Sequence, residues 1–195
     1  MGNTGSMTSA DELNEQYDAD GSVTQVPERN DEVHAGESAV AQSRESAVTI
    51  PAGTVVLAAT PIGNVGDASA RLVALLERAD IVAAEDTRRL YDLARRLGVY
   101  VNGRVIAYHD HNERDKADGL LDQVETGATV LVVSDAGMPT INDPGLAIVR
   151  RAIERGLPVT CAPGPSAVLD ALALSGLPTD RFCYEGFLPR KHSER

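Results

Sequence analysis

From Thr54 onward, short runs of β-branched and small apolar residues alternate with longer stretches whose apolar positions recur every three or four residues. The short runs fit strands covered on both faces, and the longer stretches fit helices with one buried stripe. Residues 54–59 (TVVLAA) make the first expected strand. A helix follows, with Asp67 as its expected cap and Leu72, Leu75, Leu76 and Ala79 on its inner face. Residues 81–84 (IVAA) are a second strand. Leu90, Leu93, Ala94 and Leu97 then mark a helix closed by Gly98, a favoured residue just past a helix C-terminus. A third, shorter strand spans 104–107, and a helix capped at Asn112 runs to about residue 125 with Leu120, Leu121 and Val124 inward. Residues 129–133 (TVLVV) are the strongest strand, and the helix after it is expected over 144–155, with Pro144 early and Gly156 past its end. Residues 158–161 give a fifth strand and 166–174 a last helix.

The alternation predicts an α/β fold: an open, mainly parallel five-stranded sheet flanked by helices, without an internal repeat. In such a sheet ligands bind outside the carboxyl ends of the strands. The least generic residues fall at those ends: TPIGN (60–64), EDTR (85–88), YHDHNE (108–113), SDAGMP (134–139) with DPG (143–145), and PGPS (163–166). Five unusual loops on one rim favour a binding or catalytic cleft over a structural module.

Composition divides the chain at the point where the pattern begins. Residues 1–50 hold ten Asp and Glu against two Arg, one leucine and one isoleucine, whereas residues 51–195 hold 19 acidic against 16 basic residues. So few bulky apolar groups cannot offset backbone ordering at about 1–2 kcal/mol per residue, which predicts a disordered acidic tail. The overall net charge of −11 therefore says little about the folded part, and it does not exclude a nucleic-acid partner. Residues 1–6 (MGNTGS) fit a loose acylation pattern, which we read as a chance match or an expression remnant. No run of 18 apolar residues is present, and no charged start leads into an apolar run, so neither a membrane span nor a secretory signal is expected. Cys161 and Cys183 sit among apolar neighbours without metal-ligand or redox spacing, and two buried reduced thiols are expected.

The loops narrow the chemistry. The first has Gly63-Asn64-Val65-Gly66, one glycine short of a dinucleotide fingerprint, and no Walker loop occurs. Proline and glycine there suit either a cofactor without a pyrophosphate or a plain tight turn. Glu85 and Asp86 fit a rim site or a helix start favoured by the dipole. His109 and His111 share a face if extended, but no third ligand follows at diagnostic spacing, so a metal is not expected. The stretch from Ser134 to Gly145 is longer than an ordinary strand-to-helix turn and points to function.

The strings ATPIGNVGD (59–67), AAEDTRR (83–89), YHDHNE (108–113), SDAGMPTINDPG (134–145), APGPSA (162–167), SGLPTDRF (175–182) and EGFLPRK (185–191) resemble the tetrapyrrole methylase family. Within it they resemble the members that methylate small-subunit ribosomal RNA, in order over residues 54–195. The resemblance implies S-adenosylmethionine as cofactor, 2′-O-methylation of a cytidine in 16S rRNA, two α/β domains enclosing the cofactor, a homodimer and a cytoplasmic location. By motif, Pro61 and Gly63 belong to the first cofactor loop, Ser134, Asp135, Ala136 and Gly137 to the loop near the methionine moiety, and Ser166 and Ala167 to a further cofactor turn. The expected organisation is a tail over 1–50, an α/β domain over 51–184, and over 185–195 the start of a linker to a second domain that the chain lacks. A ribose hydroxyl is a poor nucleophile until its proton leaves, so a rim base is expected, with Glu85, Asp86 and His109 as candidates. Arg88, Arg89, Arg95 and Arg96 form a basic run that, with Arg190 and Lys191, suits RNA contact or a solvated helix face. Two alternatives stay open: another methylase of the same fold acting on a tetrapyrrole or a protein, and a catalytically incomplete fragment.

Overall fold

A computed structural model describes residues 48–187. Most of the expected acidic tail, together with Arg190 and Lys191, lies outside them. The apolar runs form β1 (Val55–Ala58), β2 (Ile81–Ala84), β3 (Arg104–Ala107), β4 (Val130–Val133) and β5 (Val159–Ala162). All five pair parallel in one sheet of order β3-β2-β4-β1-β5. The helices are α1 (Ala70–Arg78), α2 (Thr87–Leu97), α3 (Glu113–Glu125), α4 (Leu146–Glu154) and α5 (Ala167–Leu174).

Side chains alternate across the sheet and sort the helices into two layers. Val56, Ala58, Val82, Ala84, Leu131 and Val133 pack with Leu72, Leu75 and Leu76 of α1 and Leu90 of α2. Val55, Ile81, Ala83, Val130 and Val132 pack with Leu120, Leu121 and Val124 of α3 and Ile148 and Ala152 of α4. The central strands therefore have to be apolar on both faces, which is why their sequence runs show no alternation.

Four expectations change. Asp67 does not cap α1: it closes a 3-10 turn (Val65–Asp67) that Asn64 caps, and the Ser69 hydroxyl accepts from Leu72 N at 3.0 Å to start α1. Asn112 stands at the cap position of α3 without capping it, because its side chain turns back to the loop before it. The helix expected from residue 144 starts at Leu146, since Gly145 has a φ of 132°. Both cysteines are exposed and free. Cys161 lies on β5, an edge strand, and α5 beyond it buries none of its residues. Cys183 lies in the segment after α5 and bonds Glu185, whose carboxylate pushes the thiol pKa up. Gly98 closes α2 as expected. Among the described residues no helix is long and apolar enough to cross a membrane.

Candidate active site at the strand switch

The strand order fixes where a site belongs. From β1 the chain passes through α1 to β2 on one side, and from β4 it passes through α4 to β5 on the other. β1 and β4 are neighbours, so this is the switch point at which a ligand crevice is expected.

These loops are laced together above the crevice. Thr60 and Gly137 form an antiparallel bridge, with Thr60 N donating to Gly137 O at 2.9 Å and Gly137 N to Thr60 O at 3.0 Å. Gly137 takes a φ of 83° there, a conformation that side-chain-bearing residues seldom adopt. The buried Thr60 hydroxyl donates to Ser134 O. The second loop is clamped to the fourth by reciprocal bonds: Asp135 N donates to Glu85 Oε2 at 3.1 Å, and Asp86 N to Asp135 Oδ1 at 3.2 Å. Arg89 pairs with the other oxygen of Asp135 at 3.2 Å.

A cavity of about 400 Å³ opens over this lacework. Glu85, Asp135 and Asp143 give it an acidic side, Ile62, Met138 and Ile141 an apolar side, and Ser166, Ala167 and Val168 at the start of α5 a third wall. Partial burial pushes the Glu85 carboxyl above its ordinary range. The Asp135 N–H opposes that shift, while Asp135, Asp143 and Asp110 add to it by repulsion. Burial likewise raises Asp143; the Ser134 side chain opposes that shift, while Asp135 and Asp110 add to it by repulsion. Several carboxylates with one arginine among them form a site that favours a positively charged ligand.

The structure distributes the expected site residues unequally. Asp135, Ala136, Gly137, Ser166 and Ala167 line this cavity together. Ser134 lies buried beneath it, donating to Gly137 O. Pro61 and Gly63 line a neighbouring hollow of about 200 Å³ that shares Arg89 and Asp135 with it. Of the three candidate bases, Glu85 alone faces the cavity. Asp86 is the N-cap of α2, accepting from Arg88 N at 2.8 Å. Bonds from the Arg88 side chain and backbone hold it at about 2. His109 is occupied as well. Asn112 Oδ1 accepts from His109 N, so the Asn112 amide nitrogen meets His109 Nε2 at 2.9 Å as donor. The proton of the neutral ring then belongs on Nδ1, which is buried without a partner.

The basic run is largely neutralised within the fold. Arg88 pairs with Asp86, Arg89 with Asp135 and Arg95 with Asp92. Among the described residues Arg96 makes no ion pair. Several cavity residues were not singled out as site residues: Val168 and Tyr184 read as ordinary apolar positions, Ile62, Met138, Ile141 and Phe187 lay inside the motif strings without a role assigned to them, and all become walls when the loops converge. Asp143 was visible as part of DPG, but its facing Glu85 was not.

Residues 54–195 match the family model of the Tetrapyrrole (Corrin/Porphyrin) Methylases. Over 143 residues the chain is 54% identical to "Ribosomal RNA small subunit methyltransferase I" of Mycobacterium tuberculosis, a match covering 73% of this chain and 50% of that protein. The protein of the same name from Escherichia coli O157:H7 is 48% identical over 143 residues, covering 73% and 49%. That of Vibrio cholerae is 43% identical over 149 residues, covering 75% and 51%. The chain spans about half the length of the curated relatives it matches.

Proposed function

The chain belongs to the tetrapyrrole methylase family, and from that premise we propose that its activity is S-adenosylmethionine-dependent methylation of small-subunit (16S) ribosomal RNA, on the 2′-oxygen of a cytidine. The observation that carries the proposal is the cavity at the β1/β4 switch. Its acidic side suits a cationic cofactor, its apolar side suits a flat base, and its first loop lacks the glycines a pyrophosphate requires. The ribosomal substrate is supported by the names of the relatives at 43–54% identity. The cytidine 2′-oxygen is supported by the motif strings.

In this proposal Asp135, Ala136, Gly137, Ser166 and Ala167 hold the cofactor, with Pro61, Gly63 and Ser134 shaping the loops around it. When bound, S-adenosylmethionine supplies an electrophilic methyl group carried on a positively charged sulfur. Glu85 is the base: a carboxylate raised by burial and by its acidic neighbours accepts the hydroxyl proton more readily than an ordinary one. Asp86, held at about 2, is too weak a base for that work. Residues 51–184 form one wall of the cleft. Residues 185–195 lead toward a second domain that supplies the other, and the working unit is a cytoplasmic homodimer. The length of the relatives, about twice the matched region, supports the second domain. Arg88, Arg89, Arg190 and Lys191 are proposed RNA contacts, the first two at the expense of their present carboxylate partners.

The test is label transfer. The complete protein, given methyl-labelled S-adenosylmethionine and a choice of small ribosomal subunits, a precorrin and a protein extract, is expected to label the ribosomal RNA. Label confined to tetrapyrrole or protein overturns the substrate proposal, and absence of cofactor binding overturns the proposal as a whole.

A further inference from the structure

The loop between β4 and α4 keeps an uncommon backbone. Thr140 and Asn142 lie at φ of 76° and 62°, a region in which a branched residue such as threonine is an outlier. Such conformations persist only where the surroundings over-determine them. Within the loop the bonds are long: Thr140 N to Pro144 O at 3.3 Å and Ile141 N to Met138 O at 3.4 Å. Its far end has no cap of its own, because the residue at the cap position of α4 is Gly145.

The cap comes from another element. Glu113, the first residue of α3, accepts from Gly145 N through Oε2 at 2.8 Å, and Ala147 N approaches the same oxygen at 3.5 Å. A carboxylate suits the place, since the start of a helix carries partial positive charge. Pro144 and Gly145 are buried at this junction, and beside it Tyr108 is fully buried. Glu113 does not line the acidic cavity, but the loop it holds does, through Met138, Ile141, Asn142 and Asp143. A substituent on Gly145 would stand 3.1 Å from the Thr140 side chain, so the anchored end of the loop is packed against its strained middle.

We propose that Glu113 is a positioning residue: its carboxylate, bound to the start of α4, holds the Met138–Asp143 wall of the cofactor cavity in its binding shape. The proposal rests on the cofactor assignment above. Glu113 touches no reacting atom and acts through the loop.

Two measurements test it. Hydrogen exchange on the full chain without ligand is expected to show the amides of residues 140–143 and 145–147 exchanging at least about tenfold faster in Glu113→Ala, and within about threefold of the parent in Glu113→Gln, which keeps an accepting oxygen. Calorimetry with the complete protein is expected to show S-adenosylmethionine binding weakened about tenfold in Glu113→Ala and largely recovered in Glu113→Gln, because the cost lies in pre-organisation. Unchanged exchange in Glu113→Ala overturns the tether. Faster exchange with unchanged affinity overturns the positioning role and leaves the cofactor assignment standing. A parent that exchanges as expected yet binds no S-adenosylmethionine overturns the assignment on which the role depends.

Discussion

Glu85 and Asp86 are neighbours in sequence with opposite surroundings. Glu85 faces three other carboxylates from a half-buried position and is raised, whereas Asp86 sits on a helix start beside Arg88 and is lowered to about 2. Glu85→Gln is expected to slow methyl transfer by about 10²-fold or more, the usual scale for a general base. Asp86→Asn, which keeps a capping side chain, is expected to stay within about threefold of the parent. The same shifts set opposite pH signatures on stability. For Glu85, raised on folding, the protonated form is the more stable one. Its contribution is complete below the ordinary carboxylate range and lost as pH rises through the folded value. Glu85→Gln is therefore expected to raise Tm at pH 7 and to lose that gain below about pH 4. For Asp86, lowered on folding, the contribution is present above about pH 4 and lost as pH falls toward 2. Thermal melts of the parent and Asp86→Asn across that window are expected to converge at its acid end. Spacing singled out both residues as rim carboxylates, but their difference lies in Arg88 beside Asp86 and in loops 25 and 50 residues beyond Glu85 (Asp110, Asp135), which no local pattern reveals.

At the level of elements, the apolar runs and helical stripes named each strand and helix to within a few residues, because burial on both faces of a parallel sheet leaves a strong mark. Caps were less legible. Asp67 and Ser69 both satisfy the rule for a helix start, and the 3-10 turn that decides between them depends on Asn64 reaching Gly66 N. Ser69→Ala is expected to cost about 1 kcal/mol, read as a fall in the urea midpoint, whereas Asp67→Ala is expected to stay within about 0.5 kcal/mol. Strand order was illegible, since apolar runs carry no record of their neighbours. The error over Cys161 follows from that: β5 is an edge strand, and an apolar setting in sequence does not imply cover in space.

For the whole molecule, charge and apolar surface matter most. Residues 1–50 carry ten of the 29 acidic residues, so the folded part is close to balanced, and three of the four arginines of its basic run are paired within it. RNA binding by the complete protein is expected to be shallow in salt dependence, with removal of residues 1–50 strengthening it at low salt and leaving it unchanged near 1 M, where the Debye length is about 3 Å. A filter-binding series over salt checks this. The family was legible because its strings span five loops that the fold brings to one rim. The cavity itself was not, because its walls come from residues as far apart as Ile62 and Phe187.

The central claim, that this rim moves a methyl group to a ribose oxygen with Glu85 taking the proton, is tested most directly by single-turnover methylation of small ribosomal subunits by the complete protein and its Glu85→Gln variant, with the product nucleoside identified. The expected result is 2′-O-methylcytidine, formed about 10²-fold or more slowly by the variant. A different methylated nucleoside, or equal rates for the two proteins, contradicts it.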